Sequence, residues 1–217
     1  MLASLDNSVA FEVVERLAAV EALVQRLAWG RAELAGQLGV RRATVRAGDV
    51  GRGAAAHESD DYLARDRYDL SPSMATCLTR TLEWNGVTVD DLDLVELYSC
   101  FPCVPKMARR VIGWPVDRPA TVFGGLTFGG GPIGNYMSHA VAEMVDALRA
   151  GAGTTGLLFA NGGFATHNHA IVLATDPLPG AGAAHDFDVQ ADADAARGPV
   201  PELVKEYVGQ ATVETYT

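Results

Sequence analysis

The segment 93–103 carries the side chains of this sequence best suited to chemistry, because Tyr98, Cys100 and Cys103 stand there ahead of a predicted helix. Backbone N–H groups and the positive end of the helix dipole meet at such a position, and both favour a thiolate. We therefore expect Tyr98 and Cys100 to supply proton transfer or thiol chemistry. Two alternatives stay open: the cysteines are small core residues, as free cysteines often are, or their Cys-x-x-Cys spacing marks a dithiol redox pair.

A glycine-rich loop at 124–136 is the second candidate, because five of the eight residues 124–131 are glycine. Glycines let the backbone approach a ligand closely and turn its N–H groups toward an anion or a developing oxyanion. The pattern matches neither a Walker A loop nor a G-x-G-x-x-G fingerprint. A tight loop that serves only packing stays an alternative. The substrate-binding residues expected here are Gly129, Gly130, Gly131, Asn135 and Tyr136.

A glycine bend between two apolar runs, at 159–169, is the third candidate. Asn161 and Gly162 lie in the bend and His167 follows it, so we expect Asn161 and His167 to orient a bound substrate. Histidine is also the side chain that most readily changes charge near neutral pH. We predict no metal, although one zinc site would be formally complete. Its four ligands would be Cys100, Cys103, His167 and His169.

The composition excludes several classes of protein. With 17 basic and 27 acidic residues the net charge is −10, so the chain lacks the basic surface that duplex nucleic acid requires. Three cysteines are too few for a secreted disulfide framework. No run of about 18 apolar residues predicts a membrane span, and the N-terminus lacks the pattern of a signal peptide. We therefore expect a cytoplasmic globular protein.

Periodicity and punctuation predict the elements that must position these residues. Apolar residues three and four apart predict an amphipathic helix over 8–37. A short strand lies within 43–57, and Ser71-Pro72 predicts the start of a helix that Asn85-Gly86 ends. The apolar run 92–97 predicts a strand, and a helix over 100–112 follows it and stops at Gly113.

The second half of the chain continues the alternation of strands and helices. We expect a strand from 120 that passes into the glycine loop, a helix over 133–149, and strands at 154–160 and 170–174. A last strand is predicted at 211–217. Alternating strands and helices indicate an α/β layered fold.

Taken in order, the three segments resemble the C-terminal half of the thiolase superfamily. They read VELYSCF (95–101), GGLTFGGGPIGNY (124–136) and ANGGF (160–164). The resemblance covers roughly residues 40–217 and is strongest over 87–175. It is similar in particular to the sterol-carrier-protein-X-type thiolases and to actinobacterial thiolase-like proteins described as acetyl-CoA acetyltransferases.

The resemblance implies three catalytic positions, and this sequence departs from the pattern at each of them. Tyr98 stands where thiolases use Asn or His to hold a catalytic water. Gly131 replaces the His that activates the nucleophile and helps to form an oxyanion hole, and Ala160 replaces a Cys that acts as acid and base. The nucleophilic cysteine belongs to the N-terminal half, which we do not expect in this sequence. Claisen chemistry needs all of these parts, so a degenerate active site is expected.

The resemblance also implies the architecture. We expect an α/β fold of thiolase-half type, with a mixed five-stranded sheet and helices on both faces. Three regions are expected along the chain: an N-terminal helical segment at 1–42, the thiolase-like domain at 43–176, and an irregular tail at 177–217 that leads to a truncated extra domain.

The implied function is that of an acyl-CoA acyltransferase of lipid metabolism, with a coenzyme A thioester as substrate and no other cofactor. Such a chain would be part of a larger or split enzyme, in a homo-oligomer or with a protein that supplies the N-terminal half. Two other functions stay open. One is a non-catalytic acyl-CoA-binding or assembly subunit, and the other is an acyl-CoA retro-aldolase in which Tyr98 and Tyr136 donate protons.

Overall fold

The structure is a computed structural model that describes residues 50–58, 65, 67–98, 100–179, 181, 186–199, 202 and 204–213. The expected helix at 8–37 lies outside these residues. No helix in the described part of the chain combines the length and apolar character needed to cross a membrane.

The first described helix, α1 (Pro72–Trp84), confirms the prediction made from its end signals. The Ser71 hydroxyl accepts a hydrogen bond from the Met74 N–H at 3.2 Å, which caps the helix, and proline occupies the first turn. The helix ends at Asn85. Its buried face presents Met74, Cys77 and Leu78 to the core.

The helix expected over 100–112 begins later than predicted. Helix α2 (Cys103–Ile112) starts after Pro102 and ends at Gly113, whose left-handed backbone (φ 74°) suits glycine. Phe101 precedes a proline, and a residue in that position is disfavoured in helical conformation. The three residues ahead of Cys103 therefore stay outside the helix.

The glycine loop and the helix after it are also subdivided. Residues Leu126–Gly129 form a single helical turn, α3, and a 3-10 turn at Ile133–Asn135 leads into α4 (Tyr136–Arg149). Helix α4 buries Tyr136, Ala140, Met144 and Leu148 along one side. The last helix, α5 (Gln190–Ala196), lies in the part of the chain expected to be an irregular tail.

The described strands form one mixed sheet of four strands rather than the five expected. They are β1 (Ala54–His57), β2 (Leu94–Leu97), β3 (Thr155–Gly162) and β4 (His167–Ala174), in the spatial order β1-β4-β3-β2. The β2–β3 pair is parallel and the other two pairs are antiparallel. Among the described residues, 211–213 belong to no strand, and the remainder of that predicted strand lies outside them.

The strand predicted from residue 120 is wrong, and the reason lies in how its backbone is bonded. Leu97 N–H donates to the Ala120 carbonyl at 2.9 Å. The next amides, those of Val122 and Phe123, donate to the side chain of Glu96 instead of to a neighbouring strand. The Glu96 carboxylate thus takes the place of the carbonyl groups that a neighbouring strand would supply. The segment runs beside β2 without extending the sheet.

Helices cover the sheet on both faces. Helices α1, α2 and α5 pack on one face, hereafter the α1 face, where Leu157 and Phe159 of β3 meet Val95 and Leu97 of β2 in a shared core. Helix α4 packs on the other, the α4 face, whose core includes Leu158 of β3. Because side chains alternate along a strand, Glu96 and Tyr98 belong to the α4 face, opposite the core formed by α1 and α2.

Candidate functional site

A buried carboxylate organises the α4 face at the end of β2. Glu96 is only 1% exposed, and both of its oxygens accept hydrogen bonds. Its Oε1 accepts from the Tyr136 hydroxyl at 2.8 Å. Its Oε2 accepts from Thr121 Oγ1 at 2.6 Å and from the N–H groups of Val122 and Phe123 at 3.0 Å each. One side chain of β2 therefore binds both the first residue of α4 and the segment that leads into the glycine loop.

Two tyrosines and a thiol form a chain of contacts that begins at this carboxylate. The rings of Tyr98 and Tyr136 contact each other with centroids 4.3 Å apart. Tyr136 is buried, whereas Tyr98 is half-buried and its hydroxyl donates to Cys100 Sγ at 3.8 Å. Cys100 is exposed. The structure thus brings together three of the predicted site residues, with the thiol on the solvent side.

Both phenols are held in their protonated form near neutral pH. Burial, together with the hydrogen bond to Cys100, raises the pKa of Tyr98 to about 12. Burial and the Glu96 carboxylate raise the pKa of Tyr136 as well. A protonated phenol donates a hydrogen bond or a proton and does not act as a base. Since the Tyr136 hydroxyl is buried against Glu96, whereas the half-buried Tyr98 donates to an exposed thiol, Tyr98 is the phenol that a substrate can reach.

The glycine loop lies against this aromatic cluster at Gly129, whereas the space beside Gly130 and Gly131 is open. A Cβ on Gly129 would collide with the Phe123 ring and lie 3.1 Å from Tyr136 Cε2, so the close approach requires glycine. A Cβ on Gly130 or Gly131 would meet nothing within 4 Å. The N–H groups of Gly129 and Gly130 donate inside the α3 turn, to Gly125 O and Leu126 O at 2.9 Å each. These two amides are therefore already bonded, and the oxyanion role of the Gly131 amide stays a prediction.

The start of α4 adds a polar pair beside the same cluster. Asn135 Nδ2 lies 3.2 Å from His139 Nε2, and the His139 ring stacks on Phe123 with centroids 5.7 Å apart. Phe123 in turn packs edge-on against Tyr136 at 5.3 Å. Asn135, a predicted substrate-binding residue, thus lies on the same face as Tyr98 and Tyr136.

Asn161 lies on the opposite face of the sheet. Its Nδ2 donates to Asn168 Oδ1 at 3.0 Å and to the His167 carbonyl at 3.2 Å. Asn168 in turn donates to Ser73 Oγ of α1 at 2.8 Å. The structure therefore separates Asn161 from the tyrosine cluster, and its predicted role in orienting a substrate stays a prediction.

His167 belongs to a second cluster, at the start of β4. Its Nδ1 lies 2.9 Å from Thr166 Oγ1, its ring stacks on that of His57 at 6.1 Å, and Gly162 faces it across the ladder. Two residues further along β4, burial lowers the pKa of His169 to about 4, and the nearby His167 and His57 lower it further. His169 is therefore neutral at neutral pH.

The cysteines differ sharply in environment. Cys100 and Cys103 are exposed and free, whereas Cys77 is buried and its thiol donates to the Ala54 carbonyl at 3.0 Å. In the described ranges, no three His, Cys, Asp or Glu side chains are grouped so as to hold a metal ion.

Sequence reasoning missed the residues that support the site. Glu96 was part of a quoted motif but received no role, and the contributions of Thr121 and Phe123 were not foreseen. One signal was available, because Glu96 is the single charged residue of the apolar strand β2. A charged residue inside a buried strand needs partners.

Comparison with known proteins identifies the fold. The structure is similar to that of a monomeric SCP2-thiolase-like protein type 1 from Mycobacterium smegmatis, with a TM-score of 0.66 and 30% identity over 81% of this chain. The chain spans only 38% of that protein's length. Human mitochondrial 3-ketoacyl-CoA thiolase, solved alone and with CoA, matches with a TM-score of 0.45 and 21% identity, over 58% of this chain and 30% of its own.

Comparisons of sequence alone add no further relative, since no protein-family model and no curated protein matches the chain. The order of the three motifs had predicted the kind of fold that the structural comparison finds. The chain has a thiolase-like α/β fold, and it resembles part of an SCP2-thiolase-like protein.

Proposed function

We propose that the chain acts on acyl-CoA thioesters as a thiolase-like acyltransferase of the acetyl-CoA acetyltransferase type, with Cys100 as its reactive group. The observation that carries the proposal is the contact between the Tyr98 hydroxyl and Cys100 Sγ, 3.8 Å apart beside the glycine loop. Cys100 is exposed, so a bulky thioester can reach it. A hydrogen bond donated by a phenol stabilises a thiolate, which is the nucleophilic form of cysteine.

The proposed step is a transfer of the acyl group between two sulfur atoms. Cys100 Sγ forms a bond to the thioester carbonyl carbon, and the carbon–sulfur bond to coenzyme A breaks. The proton lost by the Cys100 thiol ends on the thiol of the released coenzyme A. Negative charge moves from Cys100 Sγ to the carbonyl oxygen during the attack. The single hydrogen bond donated by Tyr98 would therefore shift from sulfur to that oxygen, with the Gly131 amide proposed as a second donor.

Carbon–carbon bond formation would need groups beyond these. At Ala160, where the thiolase pattern has an acid–base cysteine, the methyl side chain cannot transfer a proton. We therefore propose that the chain works with a second copy or with a protein that supplies the N-terminal thiolase half. The chain spans 38% of the M. smegmatis protein, which leaves room for such a contribution. An acyl-CoA substrate would belong to lipid metabolism, and we propose a cytoplasmic location.

Acyl transfer to the enzyme can be tested by intact-mass spectrometry. After incubation with acetyl-CoA, we expect the full chain to gain one acetyl group that peptide mapping assigns to Cys100. Cys103→Ser is the matched control, because that thiol is also exposed, and this variant should still be acetylated. Cys100→Ser should not. Equal acetylation of both cysteines, or of neither, would refute the proposal.

A retro-aldolase is the second candidate, favoured by the tyrosine pair itself. The raised pKa of Tyr98, about 12, keeps this phenol a proton donor at neutral pH. In that reaction the bond between Cα and Cβ of a β-hydroxyacyl-CoA would break, and the β-hydroxyl would lose its proton to solvent and become the carbonyl of the released aldehyde or ketone. Tyr98 would protonate the acyl-CoA enolate and regain its own proton from solvent. Cleavage that survives Cys100→Ser but is lost in Tyr98→Phe would favour this candidate over acyl transfer. Binding of acyl-CoA without either reaction would leave a non-catalytic binding subunit.

A further inference from the structure

Both carboxylate oxygens of Glu96 accept hydrogen bonds. They bind two different parts of the candidate site, hereafter its two walls, which are the start of α4 and the segment 121–123. Oε1 accepts only from Tyr136, the first residue of α4. Oε2 accepts from three donors of the segment 121–123. An amide side chain has a single acceptor oxygen and could accept hydrogen bonds from only one of these walls. The geometry therefore explains why a carboxylate occupies this position.

The hydrogen-bond donors to Glu96 in the described part of the chain are all neutral groups. Two hydroxyls and two backbone amides bind a carboxylate that is 1% exposed. Burying a charge is costly unless it is fully hydrogen-bonded. Removing the whole side chain would therefore release both walls together, whereas an amide would keep an acceptor for one of them.

We infer that Glu96 is a positioning residue, which fixes the Tyr136 ring against Tyr98 and so sets the distance between the Tyr98 hydroxyl and the Cys100 thiol. The inference rests on the proposed function only in the use that it gives to Cys100. Its physical content is a chain of three contacts, from Glu96 to Tyr136 (2.8 Å), from ring to ring (4.3 Å) and from Tyr98 to Cys100 (3.8 Å).

A second path of contacts supports the first. Glu96 also holds the N–H of Phe123, whose ring packs edge-on against Tyr136 at 5.3 Å. The backbone of Gly129 packs against both of these rings. Tyr136 is thus bound at its hydroxyl by Glu96 and at its ring by a residue that Glu96 also binds. Rings packed in this way leave little room for an alternative rotamer.

Glu96→Gln is the sharpest variant for a test. Its amide can keep the three donors of segment 121–123 on the remaining oxygen, but its NH₂ group can only donate, so the Tyr136 hydroxyl would have to turn its proton away and accept instead. The reporter is the rate at which iodoacetamide alkylates Cys100, divided by the rate at Cys103 in the same molecule. We expect this ratio to fall about threefold in Glu96→Gln, because Glu96 acts through the Tyr98 hydroxyl and its effect cannot exceed that of losing the hydrogen bond from this hydroxyl to Cys100.

Thr121→Val is the matched control, since it removes one donor to Glu96 and the acceptor of the Gly124 N–H but leaves the bond between Glu96 and Tyr136 in place. Its Cys100/Cys103 ratio should stay within about twofold of the wild-type ratio. Buried Cys77 reports folding in every variant, because it should be alkylated only when the chain unfolds. If Glu96→Gln does not fold, Tyr136→Phe tests the same bond from its other end and should lower the ratio in the same direction.

The alkaline titration of tyrosine absorbance gives a second measurement that a purely structural role would not affect. Glu96 helps to raise the pKa of Tyr136, so the ionisation of Tyr136 should move to lower pH in Glu96→Gln. It should not do so in Thr121→Val, and the step should vanish in Tyr136→Phe. The lower-pH step in Glu96→Gln would show that the carboxylate acts on this phenol.

Neither measurement uses acyl-CoA, so the inference and the proposed function can fail separately. An unchanged Cys100/Cys103 ratio in folded Glu96→Gln and Tyr136→Phe would overturn the inference even if Cys100 is acetylated. A reduced ratio with no acetylation of the wild-type chain would keep the inference and refute the proposed acyl transfer.

Discussion

Two buried glutamates, one for each face of the sheet, organise the polar interior of this fold in different ways. Glu58 is 3% exposed and Glu96 is 1% exposed. Glu58 Oε1 accepts from the hydroxyls of Ser71 and Ser73 and from the Ser73 N–H, at 2.7 to 2.8 Å. It therefore stabilises the N-terminus of α1, where unpaired amides and the helix dipole favour an anion.

The surroundings of the two carboxylates differ. Glu58 Oε2 forms an ion pair with Arg197 at 3.2 Å, so its charge is neutralised inside the fold. Ser73 continues the network to Asn168 and then Asn161, which lie within the β3–β4 hairpin. The partners of Glu96 are neutral, and its contacts lead outward through two tyrosines to an exposed thiol.

The comparison teaches that burial and full hydrogen bonding do not by themselves mark a functional carboxylate. Glu58 and Glu96 differ in the residues at which their chains of contacts end. The Glu58 network ends in buried amides and predicts a stability role. The Glu96 network ends at a nucleophile that solvent can reach, and this ending is what supports a positioning role.

The largest effect should follow removal of Glu58. Glu58→Ala leaves two serine hydroxyls, one amide and Arg197 without their shared partner, and the free energy of unfolding should fall by about 3 kcal/mol or more. Urea denaturation measures this loss. Glu83→Gln, which disrupts an exposed ion pair with Arg80, is the control and should change stability little.

The same variant also tests the separation of the two networks. In folded Glu58→Ala, the ratio of alkylation rates at Cys100 and Cys103 should equal that of the wild type. A lowered ratio would mean that the two faces are coupled, and the division between a stability network and a positioning network would be wrong.

The next largest effect should come from adding one methyl group beside the tyrosines. In Gly129→Ala the new Cβ collides with the Phe123 ring, so Phe123 and Tyr136 must move. Overpacking of this kind costs about 1 to 3 kcal/mol, and the melting temperature should fall. Gly131→Ala is the matched control, because its Cβ meets nothing within 4 Å. Equal losses in both variants would contradict the packing of Gly129 on the aromatic cluster.

Local signals were enough to predict most of the helices and strands. Ser71-Pro72 and Asn85-Gly86 bracket α1, and Gly113 ends α2, because caps and left-handed turns depend on nearby residues. The three motifs, two of them rich in glycine, predicted the kind of fold that the M. smegmatis protein shows. These features need no information from distant parts of the chain.

The errors have a common physical cause, which is bonding between residues far apart in sequence. The amide of Val122 was predicted to join a strand, but it donates to Glu96, 26 positions earlier. Asn161 was predicted to lie in a bend, but β3 continues through Gly162, and strand alternation then directs its side chain to Asn168. Periodicity within a short window does not contain either piece of information.

A smaller effect is expected where the Glu96 network meets the thiol. Tyr98→Phe keeps the ring that packs on Tyr136 but removes the hydroxyl that donates to Cys100 Sγ. Loss of a bond worth about 1 kcal/mol should slow alkylation of Cys100 about fivefold relative to Cys103. Tyr207→Phe, which alters an exposed tyrosine bonded to the Gln210 carbonyl, should leave the ratio unchanged. An unchanged ratio in Tyr98→Phe would remove the phenol from the proposed chemistry.

The smallest effect should be the response of Glu58 to acid, which protonates the side chain without removing it. Burial alone would raise the pKa of Glu58, but hydrogen bonds from Ser73 and Ser71 and the charge of Arg197 outweigh it and lower the pKa. A carboxyl whose pKa is lower in the folded state stabilises the fold above its unfolded pKa of about 4.3. That stabilisation is lost as the pH falls through the lower, folded value. Urea denaturation from pH 6 downward should therefore show stability declining below about pH 4. The decline should be shallower in Glu58→Gln, which cannot ionise. If both proteins lose stability in parallel, other groups carry the acid response, and the ion pair with Arg197 would no longer set this network apart from that of Glu96.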